Sequence, residues 1–348
     1  MLVLCAHFID DKLFPGGMGV DIFFVISGFL ICRLLLAEGE ATGRISLPRF
    51  YARRAIRLLP VVLAFTGLMV AIYLIIGEPI DWLEPAAAIF YFANYLYAQL
   101  PGGVIVPLAH PLVVDPHLTL GLVPLWSLSV EEHFYLLLPG ALILLKGEAK
   151  RLIIAMLAVC FACLAYRLDM ARADPDLLAT NFFHFRTECR LDLLAMGVTL
   201  ACLCELEVGR VWLVRYAKPP LLVAGLLGLL ACLLIRDEVF RQTLRYTIEG
   251  VAIFCIISAV LISGGRVAVV LNHPALRFVG RLSYSLYVWS MMGGWIGGFV
   301  TQGWLARASV EFAVTFACAL ASYYLLERPL VKWRQRLAPR PQPSPAAA

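Results

Sequence analysis

Two adjacent carboxylates, Glu131 and Glu132, stand at the head of an apolar run that continues to Leu145. The stretch from Trp126 to Pro139 reads Trp-Ser-Leu-Ser-Val-Glu-Glu-His-Phe-Tyr-Leu-Leu-Leu-Pro. A charge inside a bilayer costs ~3 kcal/mol even on the mildest insertion scale, so such residues face polar cavities and mark function. At helical spacing Ser127, Glu131 and Tyr135 share one face, and Ser129, Glu132 and His133 share its neighbour. Paired carboxylates of this kind suit proton transfer or the orientation of a cationic partner. The plainer alternative is an interfacial acidic pair at a helix N-terminus, where the helix dipole favours negative charge.

Three further groups bear on chemistry. Asp21 opens an otherwise aromatic and aliphatic run, and serves either as a first-turn carboxylate or as a partner for His7 across the loop 10–17. Arg49, Arg53 and Arg57 recur at a spacing that shares a helical face, with Arg54 beside them. Arginine forks match phosphate oxygens in pairs, so the cluster reads either as a clamp for a phosphate-rich cofactor or as the ordinary basic content of a cytoplasmic loop. Arg186, Glu188, Arg190 and Asp192 crowd the start of another apolar run. Their i,i+4 pairs have like sign, so each is expected to find its counter-charge elsewhere in the fold.

These residues need a membrane-embedded scaffold. Of 348 residues 61% are hydrophobic and 15% charged, with a mean hydropathy of +0.83; soluble domains are nearer half apolar and a quarter charged. The net charge of +5 therefore reports orientation rather than a nucleic-acid partner. The ten cysteines fall in apolar runs, and Cys160-x-x-Cys163 and Cys202-x-Cys204 have no matching second pair, so helix packing is expected rather than a disulfide or a metal site.

The first nine residues are apolar but stop at Asp10-Asp11-Lys12, too short for the roughly 20 residues a span requires. Further spans are expected at 18–37, 56–77, 125–146, 150–167, 182–205, 218–236, 245–263, 280–302 and 308–327. If Ala86–Leu100 does not cross, loops carrying 19 of the 29 Lys and Arg fall on one side and seven lie opposite. This bias predicts an all-α bundle of about ten spans, the first truncated, with both termini cytoplasmic. Residues 78–124 then form an outward, partly interfacial excursion whose aromatics, Trp82, Tyr91, Tyr95 and Tyr97 among them, belong at headgroup level. The tail 339–348 is expected to be disordered.

The chain resembles the acyltransferase-3 family of integral membrane O-acyltransferases. The resemblance rests on His7, on Gly19-Val20-Asp21-Ile22-Phe23-Phe24-Val25-Ile26-Ser27-Gly28-Phe29-Leu30, and on Arg49-Phe50-Tyr51-Ala52-Arg53-Arg54-Ala55-Ile56-Arg57. It continues with Trp126 to Tyr135, Arg190-Leu191-Asp192, Leu282 to Tyr287 and Glu327-Arg328-Pro329-Leu330. Several long motifs in family order are specific. Two positions depart from the pattern: an arginine eleven places before the first-helix histidine would precede Met1, and Ser290 follows Trp289 where histidine is common.

The resemblance implies a transmembrane acyltransferase domain over 1–338. It implies acyl-CoA as co-substrate with no permanently bound cofactor, and an acceptor hydroxyl on a cell-envelope glycan. His7 matches the family's catalytic histidine, and Arg54 and Arg57 its Arg-x-x-Arg motif. Transfer from a thioester to a hydroxyl needs a base, which imidazole supplies near neutral pH. Asp21, Glu131 and Glu132 are candidates to orient it, Arg49 to Arg57 to hold the donor phosphates, and Trp126, Ser127, Tyr135, Arg190 and Asp192 to meet substrate. A carrier that moves acyl or glycan groups without chemistry is the alternative, since transporters also place ionisable groups at mid-membrane.

Overall fold

A computed structural model describes residues 4, 8, 16–99, 120–263, 269–300 and 303–331. The described chain is helical: α1 Gly16–Thr42, α2 Leu47–Ile76, α3 Leu83–Ile89, α4 Ala93–Ala98, α5 Leu125–Leu144 and α6 Ala149–Ala173. There follow α7 Phe182–Phe185, α8 Leu191–Glu205, α9 Glu207–Tyr216, α10 Pro219–Leu234 and α11 Glu238–Gln242. The chain closes with α12 Leu244–Ser263, α13 Pro274–Gly297 and α14 Gly303–Ser322.

Among the described residues five helices are long and apolar enough to cross a membrane, and α9 with α10, bent by 81°, would make a sixth. This describes a helical membrane protein, with fewer clear spans than the ten expected. The expected span 182–205 is helical without a break only from Leu191, because Arg186 is extended and Thr187–Cys189 forms a 3-10 turn. α5 and α13 have the length but carry Glu131, Glu132 and His133, or Arg277 and Arg281, which dilute their apolar character. Ala86–Leu100 is divided between α3 and α4, of seven and six residues, each far short of a span.

α5 is the central element. Its Trp126, Val130, Phe134, Tyr135 and Leu138 face a core shared with α1, α6 and α8, while Leu125 and Leu128 face a second core built on α2 and α13. Leucines on its outer side, Leu136 and Leu137, are about two-thirds exposed, as lipid-facing side chains are.

α1 and α8 make the most extensive helix pair. They approach so closely that a Cβ on Gly28 would stand 2.1 Å from the Leu194 carbonyl oxygen, and one on Gly197 would stand 2.0 Å from that of Val25. Glycine at both positions lets the backbones touch, as in close membrane helix pairs.

The described ends of the 78–124 excursion, residues 78–99 and 120–124, are tied to each other. Tyr97 is fully buried and donates to Glu84 at 2.9 Å; the same carboxylate accepts Leu120 N at 2.8 Å and Leu122 N at 3.1 Å. Trp82 is exposed, whereas Tyr91 packs against the α2–α13 core. Of the expected headgroup aromatics, Tyr97 is buried and Tyr91 half-buried within the protein.

Candidate functional site

The acidic pair of α5 lies six and seven residues past the helix start at Leu125, beyond the first turn where a helix dipole acts. An N-terminal capping role is thereby set aside, and side chains from other helices explain the pair. Arg54, reaching in from α2, places Nε 2.9 Å and Nη2 2.5 Å from Glu132 Oε1, and Nη2 3.7 Å from Glu131 Oε1. Its guanidinium carbon lies 3.8 Å from the centre of the Tyr135 ring. Glu131 Oε1 accepts the Tyr135 hydroxyl at 2.9 Å and also the hydroxyl of Ser27 from α1. Ser27 Oγ and Tyr135 OH are 2.6 Å apart. One buried arginine thus faces two carboxylates, with a serine and a tyrosine on the same oxygen. Such an array can take up and return a proton without exposing a bare charge.

Tyr91 closes this cluster from the excursion. Its φ of 60° is unusual for a residue with a side chain, a conformation found where surrounding structure enforces it. Burial first, and then the nearby Glu132 carboxylate, push its phenol above the ordinary value, so it remains a neutral donor at physiological pH. On the far side Ser127 Oγ and Tyr287 OH of α13 are 2.7 Å apart, and Tyr287 donates to the Pro124 carbonyl at 2.7 Å.

The two predicted faces of α5 diverge. Ser127 lies one turn from Glu131 and engages Tyr287 rather than the acidic pair. Ser129 bonds its own helix at Leu125 O, and His133 Nδ1 lies 2.7 Å from Thr187 Oγ1.

The arginines also divide. Arg49 and Arg57 are exposed, Arg53 binds Glu38, and Arg54 is turned inward. Glu38 is itself buried and accepts the amide of Ser46 at 3.2 Å, which fastens the turn between α1 and α2.

A second buried network lies between α1, α8 and α12. Asp21 pairs with Arg190, both out of solvent. Asp21 is the sixth residue of α1, past its first turn, so the first-turn role does not hold. The Arg190 guanidinium lies 4.0 Å from the Tyr246 ring centre and 5.9 Å from that of Trp126. Trp126 in turn lies 4.9 Å from the His184 ring and 6.0 Å from Phe24. Asp192 pairs instead with Arg167 at 2.8 Å, both fully out of solvent, and accepts the half-buried Thr247 at 3.0 Å. Arg167, placed in a loop by the basic-residue reading, is a buried residue of α6. Arg190 and Asp192 find distant partners as expected, whereas Arg186 and Glu188 pair with each other at 2.6 Å.

The structure therefore brings Glu131, Glu132, Arg54 and Tyr135 together. Trp126, Arg190 and Asp21 form a neighbouring group, Asp192 is tied to α6, and Arg49 and Arg57 stay at the surface. His7 lies outside the described residues. Ser27 and Tyr91 were missed as site residues: Ser27 figured only within the motif 19–30, and Tyr91 only among the aromatics expected at headgroup level.

The O-acetyltransferase OatA of Staphylococcus aureus (strain NCTC 8325 / PS 47) is 29% identical over 345 residues, covering 95% of this chain and 55% of its own. A second protein of that species, from strain MRSA252, is 30% identical over 365 residues, covering 97% of this chain and 58% of its own. The chain spans little more than half the length of the curated relatives it matches. No solved structure matches it. The family model described as Acyltransferase domain matches residues 1–327, and the chain belongs to the acyltransferase-3 family.

Proposed function

We propose that this protein is a multi-pass membrane O-acyltransferase that moves an acetyl group from acyl-CoA to a hydroxyl of a cell-envelope glycan. The observation that carries this reading is the buried set of Arg54, Glu131, Glu132 and Tyr135, a polar centre that pure helix packing does not need. The name of the similar staphylococcal protein, an O-acetyltransferase, supports the acyl group and the oxygen acceptor.

The donor enters from the cytoplasm, where both termini lie. Exposed Arg49 and Arg57 hold its phosphates, while Arg53, bound to Glu38, steadies the turn that carries them. On α2 the cluster residue Arg54 lies five residues past Arg49 and three before Arg57, about 8 and 5 Å along the helix axis. An extended pantetheine arm bridges such a distance and brings its thioester to the buried cluster. Trp126 and Arg190 form the wall toward the acceptor. His7 takes the acceptor proton, in the role the family assigns to that position, and a carboxylate of the cluster stabilises the imidazolium.

The test is turnover in lipid vesicles: release of CoA thiol from acetyl-CoA, measured with and without an envelope glycan fraction as acceptor. Acceptor-dependent thiol release supports the reading. Its absence across glycan fractions, from protein shown to be folded, overturns it. Mass spectrometry of envelope glycans from a deletion strain then identifies the acceptor hydroxyl.

A further inference from the structure

We propose that Ser27 is a nucleophile that carries the acyl group between donor and acceptor, so that transfer proceeds through an acyl-enzyme. This rests on the acyltransferase reading above and adds a step to it.

The Ser27 hydroxyl leaves its own helix for a carboxylate, as do those of Ser285 toward Glu327 and Thr247 toward Asp192, but only the Ser27 partner belongs to the acidic pair of α5. Serine and threonine inside helices commonly bond the carbonyl four residues back. Ser129, Thr199, Ser258 and Ser309 do so here, at 2.7 to 3.2 Å. Ser27 instead reaches across to a carboxylate 104 residues away, donating to Glu131 Oε1. A nucleophile in hydrogen-bond reach of a base, with the base held by a third group, is the arrangement that activates hydroxyls. Glu131 is the base; Tyr135 at 2.9 Å and Arg54 at 3.7 Å hold it.

Access separates Ser27 from the other buried serines. It retains 9% of its surface, against 4% or less for Ser127, Ser129, Ser258, Ser285, Ser290 and Ser322. Its backbone is fixed by the next residue, Gly28, which seats α1 against Leu194 of α8. A nucleophile held in this way needs little reorganisation before attack.

The steps balance. Ser27 Oγ attacks the thioester carbonyl carbon while its proton passes to Glu131. The carbon–sulfur bond breaks, and the CoA thiolate leaves with that proton as a free thiol. Tyr135, donating to Glu131 Oε1 at 2.9 Å, holds the carboxylate in place as it takes that proton. In the second half the acceptor oxygen attacks the Ser27 ester and the bond from Oγ to the acyl carbon breaks. The acceptor proton, taken first by the acceptor-side base, ends on Ser27 Oγ. No oxidant or further reactant is consumed.

The experiment uses the full chain in lipid nanodiscs with acetyl-CoA labelled in its acetyl group and no acceptor. Wild type should retain one acetyl group on the peptide containing Ser27. It should also exchange labelled CoA into unlabelled acetyl-CoA, a partial reaction that requires a covalent intermediate. Ser27→Ala should lose both signals, Ser129→Ala should keep both, and Ser27→Cys should carry the acetyl group as a thioester released by neutral hydroxylamine. If wild type turns over with acceptor yet shows neither label nor exchange, transfer is direct and Ser27 is no carrier, while the acyltransferase reading stands. A wild type that consumes no acetyl-CoA with any acceptor takes down both. The wild-type peptide label decides the matter even where Ser27→Ala fails to fold: exchange with the acetyl group on any other residue overturns the assignment to Ser27.

Discussion

Asp21 of α1 and Arg190 at the head of α8 form an ion pair whose side chains are both out of solvent, although 169 residues separate them. A buried pair is weak evidence of net stabilisation, but removing one partner strands the other charge at about 3–5 kcal/mol. Arg190→Ala is expected to destabilise the protein on that scale in detergent thermal unfolding. Asp21→Asn combined with Arg190→Gln should cost less than the two single changes added together, because neither charge is then left alone. Additive losses would show that the two residues do not act as a pair.

The α1–α8 crossing offers a steric test. Gly28→Ala puts a methyl group on the Leu194 backbone and should destabilise by ~1–3 kcal/mol through overpacking. Gly67, inside α2, has nothing within 4 Å of an added Cβ, so Gly67→Ala should be neutral or stabilising by up to ~1 kcal/mol. Equal effects at the two glycines would mean that α1 and α8 are not in backbone contact.

The helices and the importance of α5 were legible because carboxylates in an apolar run have few reasons to be there. The partners were not legible. Spacing put Arg49, Arg53 and Arg57 on one face and left Arg54 off it, but only packing decides which face turns inward, and Arg54 is the one that does. Ser27 and Glu131 meet across 104 residues, beyond the reach of any local periodicity. Tyr91 enters the site through a backbone conformation imposed by the α3–α4 break, which no propensity signals. The segment 182–190 read as part of a span because its aromatics outweigh its charges, yet Arg186 and Glu188 satisfy each other locally and the helix starts late.

The different surroundings of the arginines predict different phenotypes. Exposed Arg57 is expected to lose donor affinity as alanine, by about 1.5–3 kcal/mol for a charge-assisted contact, with unfolding unchanged. Lysine at that position should recover part of the affinity, since it restores charge but not the fork. Buried Arg54→Ala should lower turnover and stability together, because it leaves Glu132 without its arginine. Unchanged acyl-CoA affinity in Arg57→Ala would return the surface arginines to a topological role.

His7→Gln keeps size and polarity but cannot accept a proton. As the acceptor-side base, His7 is expected to supply ~10²–10⁴-fold in rate, so the variant should lose about that factor while donor binding and membrane insertion persist. Retention of most activity would move the acceptor base to Glu131.

Glu131 and Glu132 are neighbours in sequence with separate partners, and their amide variants should separate accordingly. Glu131→Gln keeps a carbonyl that can still accept from Ser27 and Tyr135, so the local hydrogen bonds survive while the capacity to take a proton is lost. Turnover should fall ~10²–10⁴-fold with little change in unfolding. Glu132→Gln removes the charge that faces Arg54 at 2.5 Å, leaving the guanidinium with Glu131 at 3.7 Å as its remaining carboxylate. Arg54 is then drawn toward Glu131, which competes with Ser27 for the same oxygen. Glu132→Gln should therefore show a loss of stability as well as of rate. In the double variant Glu132→Gln with Arg54→Gln, Glu131 loses its arginine as well, so stability should fall further rather than return. Thermal unfolding and acetyl-CoA turnover measured on the same preparations distinguish the two cases. If Glu131→Gln loses stability rather than rate, its carboxylate is structural and the proton is handled elsewhere.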